Sequence, residues 1–226
     1  LQRVEQALLG LAEAAEVSID MAVRSLLNRD PALARWVIAE GKRVDGMEVE
    51  VEEACLALFA LQAPVAVDMR HVASMLKANS DLERINDQAV NIAEAALVLA
   101  ELPPVKPLVD VPRMAEIAGW MARQAVRAFA TRNVELADAV RRRDDELDQL
   151  CDQVFRELLT YMMADPATVD RAIRLILVSR HLERIGDHAA NIAEDVVYLV
   201  RGRIVRHQQD RLRFRPDGDQ DAGQPA

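Results

Sequence analysis

The segment HLERIGDHAANIAE, residues 181 to 194, carries an oxygen-bearing side chain at each turn of a helical period: Glu183, Asp187, Asn191 and Glu194. At about 100° per residue these four fall within an arc of about 80°, and Leu182, Ile185, Ala189, Ile192, Ala193 and Val196 cover the opposite side. One hundred residues earlier, DLERINDQAVNIAE matches at ten of fourteen positions and repeats the stripe as Glu83, Asp87, Asn91 and Glu94. A shorter device recurs at the same offset, with Glu48 and Glu52 in MEVEVEEAC and Asp148 and Asp152 in LDQLCDQVF. Like charges one turn apart repel and weaken a helix unless cations compensate them.

Carboxylate oxygens are hard donors that suit magnesium, manganese, calcium or iron better than a structural zinc site, which wants Cys or His. If the two acidic helices of each half pack antiparallel, four carboxylates converge: Glu48, Glu52, Glu83 and Asp87 in one half, Asp148, Asp152, Glu183 and Asp187 in the other. One oxygen-rich metal site per half is then expected. Acids on a helix more often form a solvated face, and the duplication brings the metal reading level with that plainer one without displacing it.

Enzymatic readings fare worse. Carboxylate-bridged di-iron bundles use Glu-x-x-His, and the nearest echo here is a single Asp68-x-x-His71. Neither a phosphate-cradling glycine loop nor a Ser/His/Asp or Cys/His grouping stands out, so no catalytic residue is expected. His181 and His188 point well away from Glu183 round the helix, and the first repeat has Asp81 and Gln88 in their places, which favours packing or surface roles.

These stripes need long helices to carry them, and the composition supplies them. Of 226 residues, 51% are apolar and only 4% aromatic, with 8 glycines and 9 prolines, a mixture that suits helices over a sandwich or barrel. LPPVKPLVDVP at 102–112 concentrates four prolines and separates two halves. Asp30-Pro31 and Asp165-Pro166 read as an N-cap followed by proline at the first helical position, and Asn133 caps similarly. The expected helices are 3–28, 31–61, 66–101, 112–131, 134–163 and 167–201. The fold class is therefore all-α, two tandem homologous three-helix bundles at 1–104 and 105–201. From 202 to 226 the pattern loses periodicity, and a flexible tail with one basic stretch is expected.

The formal charge of −9 argues against a protein that coats nucleic acid or an anionic membrane, since both need a basic face. Cys55 and Cys151 lack Cys-x-x-Cys spacing and read as reduced thiols in a cytoplasmic setting. No apolar run approaches ~20 residues, and no signal peptide is visible, so membrane contact is expected only through partners.

LERIGDHAANIAEDVVYLVRG, TYMMADP and MEVEVEEACLALFALQAPVAVDMR together resemble the PhoU family of bacterial phosphate-specific transport, over about residues 15 to 207. The resemblance implies a cytoplasmic, non-enzymatic regulator, self-associating as a homodimer. Its implied partners are the ATPase of a phosphate ABC transporter and a sensor histidine kinase, and its role is to restrain the phosphate-starvation response. Family members carry a Glu/Asp-x-x-x-Asp pattern that holds metal clusters, which implies iron, manganese, magnesium or zinc on Glu83 and Asp87 with Glu48 and Glu52, and on Glu183 and Asp187 with Asp148 and Asp152. Arg84 and Arg184 belong to the same motif and are expected, with Asn91, Asn191, Glu94 and Glu194, to support the sites or touch a partner. Asn86 stands where the family has the glycine seen at Gly186. The alternative is a metal-binding helical scaffold or storage protein with no phosphate role.

Overall fold

The computed structural model of the chain describes residues 1–62 and 67–202. Six helices account for nearly all of them: α1 Gln2–Asn28, α2 Pro31–Gln62, α3 Val67–Leu99, α4 Asp110–Thr131, α5 Val134–Ala164 and α6 Val169–Arg201. The boundaries follow the capping chemistry. Asp30 Oδ1 accepts from the amides of Ala32 and Leu33 at 2.9 and 3.0 Å, and Asn133 Oδ1 from Leu136 at 2.9 Å. These bonds satisfy donors that a helix start leaves without partners. Asp165 behaves differently from the expectation. Its carboxylate caps Ala167, but Pro166–Thr168 winds as one 3-10 turn, and α6 proper begins two residues late. The expected tail at 202–226 lies, past Gly202, outside the described residues, as does the α2–α3 connection at 63–66.

α1 and α4 each end on an arginine in the left-handed region, Arg29 at φ 54° and Arg132 at φ 53°. A residue with a Cβ is strained there by about 1 kcal/mol, and long-range hydrogen bonds offset the strain. Arg29 donates to the carbonyls of Ala100, at 3.0 Å, and Leu102. Arg132 lies 3.2 Å from Nδ1 of the buried His71. Because a guanidinium only donates, Nδ1 accepts and Nε2 carries the hydrogen, which faces Glu5 at 3.0 Å. One polar chain thus ties α4 through α3 to α1.

α3 and α6 lie antiparallel at the centre. α3 packs on α1, α2 and α6, α6 on α3, α4 and α5, and α1 on α4, whereas α2 and α5 each touch helices of their own half only. Leu82, Ile85, Ile92, Leu182, Ile185 and Ile192 are almost fully enclosed, so the apolar sides of both repeated motifs meet in one continuous core. The proline segment is a strap. Arg171 holds the carbonyl of Pro103 at 2.9 Å, and Lys106, whose side chain is 5% exposed, pairs with Asp110 and Glu157.

Candidate metal centres

In the first half α2 and α3 bring Asp45, Glu83 and Asp87 together, with carboxylate oxygens all within 4.8 Å of one another. Burial and the neighbouring charge of Asp87 push Glu83 up to about 7. Glu48 lies on the same seam. Burial and the charges of Glu52 and Asp45 raise its pKa, and Asn79 Nδ2 donates to its carbonyl at 2.9 Å and its carboxylate at 3.3 Å. Glu52 sits exposed at the edge, acting on Glu48 and on Cys55, whose thiol burial pushes up to about 11.

The second half gathers more acid. Asp144 is pushed up to about 7 by burial first, then by the charges of Asp148, Asp187, Asp145 and Glu183. Its Oδ1 is buried without a hydrogen-bond partner among the described residues. Asp187 is also raised by burial, against the opposing pull of His188 and Arg184. Glu183 lies 3.4 Å from Arg180, and Asp152 is exposed on the outer edge.

The two clusters differ because their backing residues differ. A Cβ on Gly186 would meet Leu147 Cδ2 at 2.5 Å and Asp144 Oδ1 at 3.4 Å, so glycine lets α5 approach α6 closely and leaves room for Asp144. The matching first-half residues are Val44, fully buried, and Asn86, fully buried with neither amide atom hydrogen bonded among the described residues. Asp45 and Asp145 stand one hundred residues apart, so the repeat carried a signal for both that the Glu-x-x-x-Glu spacing overshadowed. Asp144 had no such signal, since its counterpart is Val44.

The supporting residues separate by role. Arg84 and Arg184 are exposed and favour the ionised forms of Glu83 and Asp187. Glu194 approaches Arg141 of α5 at 3.6 Å, Glu94 is exposed, and Asn91 is half-buried. Asn191 Nδ2 donates to Asp81 Oδ1 at 3.3 Å across the α3–α6 seam. The same seam explains the histidines, because His188 pairs with Asp81 at 2.9 Å and His181 with Gln88 at 2.8 Å. Positions 81 and 88 of one repeat thus meet 188 and 181 of the other, a pseudo-two-fold arrangement in which both histidines join the halves. An apolar cavity of about 350 Å³ at the α1–α3–α4 seam, lined by Leu8, Leu82, Val126 and Phe129 among others, includes none of the clustered acids.

The family model of the PhoU domain matches residues 8–96 and again 111–196, once on each acidic helix pair. The chain belongs to the PhoU family. A PhoU homolog of Aquifex aeolicus, named a phosphate-specific transport system accessory protein, is 41% identical over 208 residues, covering 92% of this chain and 94% of that protein. The PhoU homolog of Caulobacter vibrioides is 38% identical over 199 residues, 88% of this chain and 86% of its own length. Among solved structures, PhoU from Pseudomonas aeruginosa superposes with a TM-score of 0.87 at 37% identity, covering 90% of this chain and 98% of that one. The phosphate transport system regulatory protein PhoU from Streptococcus pneumoniae gives 0.84 at 28% identity, covering 90% and 96%.

Proposed function

We propose that this PhoU-family chain is an accessory, regulatory protein of phosphate uptake. In this reading it is a non-enzymatic, cytoplasmic adaptor between the ATPase of a phosphate ABC transporter and a sensor histidine kinase, and it restrains the starvation response while phosphate is plentiful. The observation that carries the proposal is near full-length similarity, at 41% identity, to a phosphate-specific transport system accessory protein. Among the described residues no helix is long and apolar enough to cross a membrane, in keeping with attachment through partners. Regulation here is a coupling between binding events.

The carboxylate clusters fit a resident cation in their donor chemistry. Asp45, Glu83 and Asp87 offer three oxygens at ligating separations, and in the second half Asp144 and Asp187 crowd together with raised pKa values. Such a site suits iron, manganese or magnesium, with zinc less favoured by an all-oxygen set. A bound cation would supply the positive charge that the clustered acids lack and would bridge α2 to α3 and α5 to α6. The acids of each helix pair would hold such a cation, and their number and crowding would set its affinity.

Deleting the gene in its host tests the regulatory reading. Phosphate-starvation genes should be derepressed in phosphate-rich medium, in a manner that requires the transporter and the kinase. Untouched phosphate-responsive transcription would shift the assignment to a metal-binding scaffold or storage bundle.

A further inference from the structure

The two arginines that end α1 and α4 tie their helices at opposite ends of the molecule, and they grip different chemistry. Arg29 donates to the carbonyls of Ala100, at 3.0 Å, and Leu102, which take up no proton near neutrality. Arg132 instead meets Nδ1 of His71 at 3.2 Å, an acceptor that a single proton abolishes. One hundred residues after Glu5 and His71 stand Val105 and Arg171, which cannot rebuild this link in the second half.

His71 is 2% exposed, its ring 6.1 Å from that of Phe129, and the charges acting on it come from α1, α3 and the turn after α4. α1 supplies Glu5 at 3.0 Å and the amino group of Leu1, α3 supplies Asp68, and the turn supplies Arg132. Burial is the main cause that lowers the pKa from 6.5; Glu5 raises it, Arg132 lowers it, Asp68 raises it and the Leu1 amino group lowers it. Neutral His71 satisfies both neighbours, with Nε2–H toward Glu5 and bare Nδ1 toward the guanidinium. A proton on Nδ1 sets donor against donor and like charge against like charge on the Arg132 side, while Nε2–H still faces Glu5. Arg132 is exposed and can swing into water, whereas the ring is enclosed, so the Arg132 contact is the one that yields. Its backbone at φ 53° is strained for a residue with a Cβ, and the turn then loses a contact that offsets the strain.

We propose that the Glu5–His71–Arg132 chain is a proton-released latch between the two halves: uptake of one proton by His71 expels Arg132 and frees the α4–α5 turn from α3. α1 stays attached, because the His71–Glu5 contact becomes an ion pair. A ring whose pKa folding lowers leaves the latch fully formed above pH 6.5 and releases it as pH falls below that value. The apolar cavity of about 350 Å³ that Glu5 and Phe129 help to line gives the end of α4 open space on one side. The packing of α3 on α6 does not involve these residues, so the latch loosens the α1–α4 seam and leaves the central one closed. The inference goes beyond the adaptor reading and does not depend on it.

Hydrogen exchange of the full chain, corrected for intrinsic rates, tests the latch at pH 7.5 and pH 5.5. The amides of Arg132 and Asn133 bond to the carbonyls of Phe129 and Ala128 at 3.3 and 3.0 Å, and those of Arg29 and Asp30 to Leu26 and Ser25 at 3.3 and 2.9 Å. Opening at Arg132 and Asn133 should rise severalfold at the lower pH, with about tenfold as the limit for one proton taken up a pH unit below 6.5. Arg29 and Asp30 should not follow. The rise should vanish in His71→Gln, which cannot titrate, and in Arg132→Gln, whose side-chain oxygen can accept from a protonated ring. Nitrogen NMR of the parent, which needs no variant to fold, should show Nε2–H and bare Nδ1 at pH 7.5 and a His71 midpoint below 6.5. The proposal is overturned if neither turn responds or both respond alike, or if the variants keep the parent's response. A hydrogen on Nδ1 at pH 7.5, or a midpoint at or above 6.5, overturns it as well.

Discussion

Replacing Asp144 with Asn in the metal-free chain should stabilise it at pH 8, and by less at pH 5. The folded structure moves Asp144 from 3.8 to about 7 by burial and by the charges of Asp148, Asp187, Asp145 and Glu183. An acid raised in this way holds its proton more tightly when folded, so its stabilising effect is complete below pH 3.8 and is lost as pH rises to about 7. At about 1.36 kcal/mol per unit the full loss is ~4 kcal/mol, of which about 1.5 has accrued by pH 5. The side chain is partly exposed and relaxation screens the repulsion, so ~1–2 kcal/mol of the difference between pH 5 and pH 8 should survive. In a domain of this size that shifts Tm by about 3–6 °C. His71 and His181, whose pKa values burial lowers, destabilise parent and variant alike as pH falls below 6.5, and their effect cancels in the comparison. Calorimetry in EDTA at the two pH values measures it. Adding Mn²⁺ at pH 8 should then raise the Tm of the parent more than that of the variant. A variant less stable than the parent by the same amount at both pH values would refute the reasoning, because Asp144 would then be an ordinary hydrogen-bond acceptor holding α5 to α6.

Metal content measured by elemental analysis should fall in Asp87→Ala/Asp187→Ala. Asp45→Ala should lower it more than Glu52→Ala, and unchanged stoichiometry in all three would remove these clusters as ligands. Gly186→Ala should cost about 1–3 kcal/mol, since the new Cβ would stand 2.5 Å from Leu147 Cδ2, and thermal melts should show the drop. A melt equal to the parent's would mean that α5 and α6 separate without penalty.

Much of this architecture was legible in local sequence. Helix starts are set by short-range chemistry, so Asp30 and Asn133 cap where their spacing predicts, and the proline segment ends the first half. Periodicity placed Leu182, Ile185 and Ile192 inside, because apolar residues on one side of a long helix have only the core to go to. The internal repeat likewise marked both acidic helix pairs. It also announced Asp81 and Gln88 opposite His181 and His188, as a list of differences between repeats without a reason.

The reason lay in the tertiary structure. Only the antiparallel docking of α3 on α6 brings 188 to 81 and 181 to 88, since residues more than ninety positions apart meet through packing that no local period encodes. The membership of each carboxylate cluster was decided in the same way. Asp45 enters the first half because the rotation of α2 against α3 turns it toward Glu83 and Asp87. Asp144 enters the second because a glycine on the facing helix leaves it space that Val44 and Asn86 fill in the first. Sequence determined which faces are acidic and which are apolar, through interactions within a helical turn. Helix packing decided which acids share a charge and raise one another's pKa, because electrostatic repulsion depends on distance and burial between helices.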